Sequence, residues 1–356
     1  MRTNISVITT FSLSGFNELT NLRVIVFVLT LLCYCFILFA NIALIMTIAF
    51  DKTLHEPMYI FLCGFCLNAL SGTMGFYPKF LSDLLSPVQV ISYAGCLLQA
   101  WVLYSFICSD IAILTIMAYD RYLAICRPLE YHNILSKRRL WGLMCYSCVT
   151  PFCVVGVNIL LTSRLRLCSS VITKFFCVNW IIVKLACSPS DTVINNIVAN
   201  ITIILYVSHC LFIMWSYLYL SKMCLNSIEN KAKFLNTCVP HLVSLLTFLF
   251  SILFDIMSMR LGLFRIPQNL LNFFAIEVLL FPPLINPLIY GFKLTKVRRR
   301  IISLVTFKAK SRDSVALFYQ HPRLHEKKKE ADSSVVQYMR ANKRLLLFHH
   351  RTRHQG

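Results

Sequence analysis

Seven long apolar runs constrain this chain more than anything else in it. They are Leu22–Phe50, Pro57–Leu84, Tyr93–Cys126, Leu140–Leu161, Ile194–Ser221, Phe234–Phe254 and Gln268–Tyr290. Lipid offers a backbone no hydrogen-bond partners, so a crossing segment must close its own bonds as a helix, and about 20 residues suffice. Charges inside the runs are few: Arg23, Lys79, Asp83, Asp110, the pair Asp120-Arg121, and Glu277. With 57% hydrophobic and 14% charged residues, the chain carries more apolar surface than a water-soluble domain can hide. The expected fold is an all-α membrane protein, a seven-transmembrane helix bundle. Pro78, Pro151, Pro282, Pro283 and Pro287 fall within runs. Kinked helices are tolerated where neighbours satisfy the freed backbone groups.

Loop charge sets the orientation. The loops after the third and fifth runs hold Arg127, Lys137, Arg138, Arg139, Lys222, Lys231 and Lys233, and the segment after the seventh is more basic still. From Lys293 to Gly356 there are 17 Lys or Arg against 4 Asp or Glu, which is +13 of the chain's net +20. These segments share one side, expected to be cytoplasmic, which leaves the N-terminus outside. Charge gathered in one tail after the last run fits anionic lipid rather than a nucleic-acid groove, so membrane lipid is an expected partner and nucleic acid is not. The first 20 residues hold no signal-peptide core, and no cleaved leader is expected. The expected organisation is an extracellular N-terminus (1–21), a bundle (22–291), a short amphipathic membrane-surface helix (292–306) and a basic cytoplasmic tail (307–356). The expected site of action is the plasma membrane, with many passes.

Sixteen cysteines are present, many within apolar runs, where a thiol behaves as a small hydrophobe. Four are expected on the outer side of the membrane: Cys96 at the start of the third run, and Cys168, Cys177 and Cys187 in the long loop after the fourth. Four cysteines allow three pairings. One of these, Cys96–Cys177 with Cys168–Cys187, would tie the loop to the third helix and then close the loop on itself. Asn4-Ile5-Ser6 is a glycosylation sequon on the outer side. A second, Asn200-Ile201-Thr202, lies inside an apolar run, where burial would keep it unmodified. No cysteine–histidine spacing reads as a metal site, no HExxH or GxSxG arrangement appears, and no repeat between halves suggests a transporter. Neither a cofactor nor catalysis is expected.

The third run ends on Met117-Ala118-Tyr119-Asp120-Arg121-Tyr122-Leu123-Ala124-Ile125-Cys126. An acid–base pair where an apolar helix leaves the bilayer is either an anchor or a lock that opens. Around it the chain resembles the rhodopsin-like seven-helix receptors and, within them, the odorant receptors. Leu54-His55-Glu56-Pro57-Met58-Tyr59 is similar to their motif opening helix two. The Met117–Cys126 stretch is similar to the motif closing helix three. Ser216-Tyr217, Thr237-Cys238-Val239-Pro240-His241 and Pro283-Leu284-Ile285-Asn286-Pro287-Leu288-Ile289-Tyr290 resemble those of helices five, six and seven. The four outer cysteines fit the same pattern. Phe76-Tyr77-Pro78-Lys79-Phe80 and Gly291-Phe292-Lys293-Leu294-Thr295-Lys296 look most like fish odorant receptors.

The resemblance implies a receptor that takes a small-molecule odorant and activates a heterotrimeric G protein of the stimulatory type, raising cyclic AMP. The alternative is a non-olfactory receptor of the same class for a small amine or a peptide. It implies that Arg121 pairs with Asp120 at rest and turns towards Tyr217 and Tyr290 on activation, with Tyr122, Asn286 and Pro287 in the same coupling machinery. The family's usual acid in helix two is replaced by Ala69, beside Asn68. Asp110, about three turns before Arg121, is expected to take over the buried-acid role near Asn286 and Asn41. It would hold a sodium ion there, or stand as a protonated, hydrogen-bonded acid with no ion. The ligand pocket is expected in the outer half. Helical spacing turns Leu103, Tyr104, Ile107 and Cys108 inward, with Asp255, Asn269, Asn272 and Phe273 as further contacts. Leu103 stands where amine receptors hold an acid. Asp255 and Glu277 could attract a cationic ligand, or pair internally with Arg260 or Arg265.

Overall fold

The computed structural model describes residues 8–15, 22–224 and 268–293, together with 242–243, 246, 249–250, 254 and 297–299. The chain divides into two units, Met1–Arg298 and Arg299–Gly356, and every element named below belongs to the first. In chain order the helices are α1 (Arg23–Phe50), α2 (Pro57–Leu85), α3 (Tyr93–Cys126), α4 (Tyr131–Ile134), α5 (Lys137–Thr162), α6 (Asn179–Lys184), α7 (Val193–Cys224) and α8 (Gln268–Lys293). Among the described residues, five helical segments are long and apolar enough to cross a membrane: α1, α2, α3, α5 and Pro189–Met223, which contains most of α7. The helix α8 coincides with the seventh run. The expected sixth span, Phe234–Phe254, lies outside the described residues except at isolated positions, as do most of 292–306 and all of 307–356.

The helix starts follow local chemistry. Pro57 opens α2 at a position whose N–H would be unpaired in any case. The Ser92 hydroxyl caps α3 by accepting from the Gly95 N–H at 3.1 Å. At 34 residues α3 is about 50 Å long, well beyond the apolar thickness of a bilayer. It is the axis of the molecule, packing against α2, α5 and α7 and burying residues on every side from Ile111 to Ala118. By contrast α1 leaves Val24, Leu29, Leu32 and Phe39 exposed, a face that lipid would cover. The close approach of α2 to α3 depends on Gly72: a Cβ there would lie 2.3 Å from the Phe106 ring.

One expectation of the sequence is corrected at the outer end, which is not wholly helical. A three-stranded sheet, in the order β2-β1-β3, joins β1 (Thr10–Leu13), β2 (Val90–Ser92) and β3 (Val171–Ile172). The strands β1 and β2 run antiparallel with Phe11 opposite Ile91, while β1 and β3 run parallel with Leu13 beside Ile172. The N-terminal segment reads as short and polar, yet Phe11 and Leu13 are buried while Thr10 and Ser12 face out. That alternation is the period of a strand with one face on a core. It was hidden because the apolar positions are only two. Beneath the sheet lies an aromatic cluster. Phe76 stacks on Phe80 at 4.9 Å, and Phe176 and Phe175 of the outer loop meet those two rings edge-on. The Phe76–Phe80 segment thus acts as core.

Candidate functional site

At the inner end of α3, Asp120 is fully buried and Arg121 partly exposed. Adjacent residues on a helix do not face one another, but the Arg121 side chain folds back. Its Nε donates to Asp120 Oδ2 at 2.9 Å, and a second guanidinium nitrogen donates to the same oxygen. The other oxygen accepts from the Tyr131 hydroxyl at 2.7 Å. Tyr131 belongs to α4, a single turn in the loop that follows, and was not among the residues singled out from sequence. Burial, and next the Asp120 carboxylate, push its phenol above its ordinary value, so it remains a donor at neutral pH. Its sequence signal was weak: one aromatic among polar residues. Tyr122 points elsewhere, packing against Tyr219 and Trp215 of α7 at 5.7 and 6.3 Å. Tyr217 is buried on α7, and Asn286 and Pro287 are buried on α8. The side chain of Tyr290 lies outside the described residues.

Further out, the mid-bundle polar groups separate into two sets, which corrects the expected grouping. Asp110 is buried and accepts from Asn68 Nδ2 at 2.8 Å, and Asn68 also donates to the Phe106 carbonyl. Asn41 does not join it. Its Nδ2 donates to the carbonyls of Ile37 and Pro283, each at 2.9 Å, and its Oδ1 has no partner among the described residues. The reason lies in α8. Pro287 has no N–H to give to the Pro283 carbonyl four residues back, and Asn41 reaches across from α1 to supply the missing donor. No cluster of three or more metal-ligating side chains occurs among the described residues.

At the outer end, Cys96–Cys177 ties the long loop to the start of α3, and Cys168–Cys187 closes that loop on itself. Gln99 locks the same junction. Its Oε1 accepts from the Cys177 N–H at 3.0 Å and its Nε2 donates to the Gly75 carbonyl at 3.2 Å. Below the loop is a cavity of about 850 Å³ between α3, α5 and α7, roofed by α6. Leu103, Tyr104, Ile107 and Cys108 all line it. So do six residues the sequence did not single out: Asn158, Asn179, Trp180, Asn195, Asn196 and Tyr206. The usable signal for them was the presence of asparagine inside or beside otherwise apolar runs. Tyr206 is hydrogen-bonded to Cys108 across the cavity wall. Asp255 and Asn4 lie outside the described residues, and so do the side chains of Asn269, Asn272 and Phe273 on α8.

A chain with a cavity at one end of a long helix and an acid–base pair at its other end can be compared with known proteins on those terms. A family model described as olfactory receptor matches residues 30–308. Olfactory receptor 5F1 of Homo sapiens is 29% identical over 314 residues, covering 87% of this chain and 98% of the relative. Olfactory receptor 52D1 of Homo sapiens is 32% identical over 277 residues, covering 76% and 86%. Olfactory receptor 2C1 of Mus musculus is 31% identical over 296 residues, covering 81% and 92%. The matched region takes in the cavity, the buried pair and the proline-rich α8, and the chain belongs to the olfactory receptor family.

Proposed function

We propose that this chain is an odorant receptor that binds a small molecule in its outer cavity and activates a heterotrimeric G protein from its inner face. One observation carries the reading. A single helix, α3, supplies Leu103, Tyr104, Ile107 and Cys108 to the cavity and Asp120 and Arg121 to the buried pair. A ligand that shifts α3 changes both ends at once. At rest Asp120 is held by Arg121 and Tyr131. On activation the guanidinium, a planar donor fork, exchanges the carboxylate for the phenols of Tyr217 and Tyr290, with Asn286 and Pro287 letting α8 move. Exchange of this kind costs little at the membrane edge, where water can enter. The freed inner face would receive the G protein, of the stimulatory type that raises cyclic AMP.

The same reading completes the molecule. The family implies seven spans, with Phe234–Phe254 as the sixth, and an N-terminus outside a plasma membrane. Asn4 would carry the outer glycan, and 292–306 would lie on the inner leaflet ahead of a basic tail. The fish branch remains the finer assignment favoured by Phe76–Phe80 and Gly291–Lys296. An amine ligand is disfavoured, since Leu103 stands where an acid would be needed and no carboxylate occurs among the described lining residues. The test is an odorant panel on cells expressing the full chain, read as cyclic AMP, with Arg121→Ala as control. The expected result is ligand-dependent signal that the variant loses at equal surface expression. Surface-expressed chain with no signal, basal or evoked, would overturn the reading.

A further inference from the structure

The polar side of the cavity is dominated by side-chain amides. Four asparagines stand on it: Asn158 on α5, Asn179 at the start of α6, and Asn195 and Asn196 in the first turn of α7. A carboxamide carries two donors and an acceptor, and here the threonines decide which end is left over. Thr162 gives its hydroxyl hydrogen to the Asn158 carbonyl at 3.0 Å, so its oxygen must accept, and it does so from Asn195 Nδ2 at 3.2 Å. Thr202 gives its hydrogen to the Val198 carbonyl at 2.9 Å and accepts from Asn158 Nδ2 at 3.0 Å. Thr192 gives its hydrogen to the Pro189 carbonyl at 2.8 Å and accepts from Asn196 Nδ2 at 3.4 Å. Each threonine has spent its donor on a helix carbonyl, and each therefore turns an amide nitrogen towards itself. In Asn158, Asn195 and Asn196 the amide oxygen is thus the end the threonine does not use, while Asn179 has no such threonine among the described residues. The amide oxygens of Asn179 and Asn196 are buried and have no partner among the described residues.

A buried acceptor without a donor is costly, and a ligand that brings the donor recovers that cost. A charged ligand would recover less. Among the described lining residues there is no Asp, Glu, Lys or Arg, and a cation would shed its water with nothing opposite in charge to meet it. The rest of the wall is largely apolar, with Ile107, Val155, Ile203 and Phe250 on it.

We propose that the cavity selects uncharged, mainly apolar ligands whose polar group is a hydrogen-bond donor, an alcohol or a phenol, over ketones and ethers of the same skeleton. This rests on the receptor reading above and narrows it to a ligand class. The donor's position is also specified, at the outer end of the cavity where α6 meets the first turn of α7, with the apolar body directed inward along α3.

The test uses the full chain in cells with matched probes: octanol against octyl methyl ether, menthol against menthone, and a phenol against its methyl ether. Alcohols and phenols are expected to act at about tenfold lower concentration than their partners, the worth of one hydrogen bond gained. Asn196→Ala and Asn179→Ala should each bring that ratio towards one. A ratio within one variant does not depend on how much of it reaches the surface. Equal or better responses to the ethers and ketones, which would have to turn to the indole N–H of Trp180, overturn the proposal and leave the receptor reading standing. Silence to every probe, with a basal signal that Arg121→Ala abolishes, does the same. Silence with no basal signal from surface-expressed chain removes both.

Discussion

Asp120 is held by residues of different origin, and the difference is functional. Arg121 is its neighbour on α3, whereas Tyr131 reaches it from eleven residues on, in α4. The phenol thus couples the inner loop to the buried pair. A hydrogen bond to a charged acceptor is worth about 1.5–3 kcal/mol, and under the proposed switch that sum favours the resting state. Tyr131→Phe should therefore raise ligand-independent cyclic AMP several-fold at matched surface expression. An unchanged or lower basal signal would show that the phenol restrains nothing. Asn41 poses a different question, since it repairs a bond that Pro287 cannot make. Asn41→Ala strands the Pro283 carbonyl in the bundle, at a cost of about 1–3 kcal/mol, and the detergent-solubilised chain should melt at lower temperature. No shift would mean that water replaces the amide. Asn41 and Arg121 were both legible in sequence as polar residues in apolar surroundings. The Asp120 partner of Arg121 was expected as well, whereas the partner of Asn41 was not, because Pro283 is 242 positions away.

Among the elements, α2 and α3 approach closely where a single small residue, Gly72, leaves room. Gly72 lets the Phe106 ring sit where a side chain would otherwise be, and Phe106 is itself buried. Gly72→Val forces the helices apart, and overpacking of this kind typically costs about 1–3 kcal/mol. The variant should reach the surface poorly and recover in part when Phe106→Ala is added, as expected if the two residues share one space. Failure of the second change to help would place the defect elsewhere. The helices themselves were readable, because in lipid a long apolar run has few alternatives. The α3 bounds expected from the runs, Tyr93 to Cys126, are those observed, and α1 and α2 differ from their runs by one residue. Glycine packing was not readable, since Gly142, with nothing near it, looks the same in sequence as Gly72.

On the scale of the molecule, the outer end is a lid made of three distant pieces of chain. Phe11 comes from the N-terminus, Ile91 from the turn before α3, and Ile172 and Phe175 from the disulfide-tied loop, and all four are buried in one cluster. Phe11→Ala removes a fully buried ring from it, at about 3–5 kcal/mol. It should lower both surface expression and the melting temperature, although the residue lies in a segment that reads as a polar tail. Normal expression and melting would show that the sheet is an ornament of the bundle. The sequence by itself determined that this chain is rich in helices able to cross a membrane and that an acid–base pair closes α3. It could do so because apolar length, charge position and short motifs are local quantities. Only the tertiary structure decided that β1 closes the outer end and that Tyr131 holds Asp120. It alone showed that Asn41 serves α8 rather than Asp110, and that three cavity asparagines give their amide nitrogens to threonines. Each of those outcomes is a hydrogen bond or a packed ring whose two halves lie far apart in the chain, and a donor's direction exists only once its partner is in place.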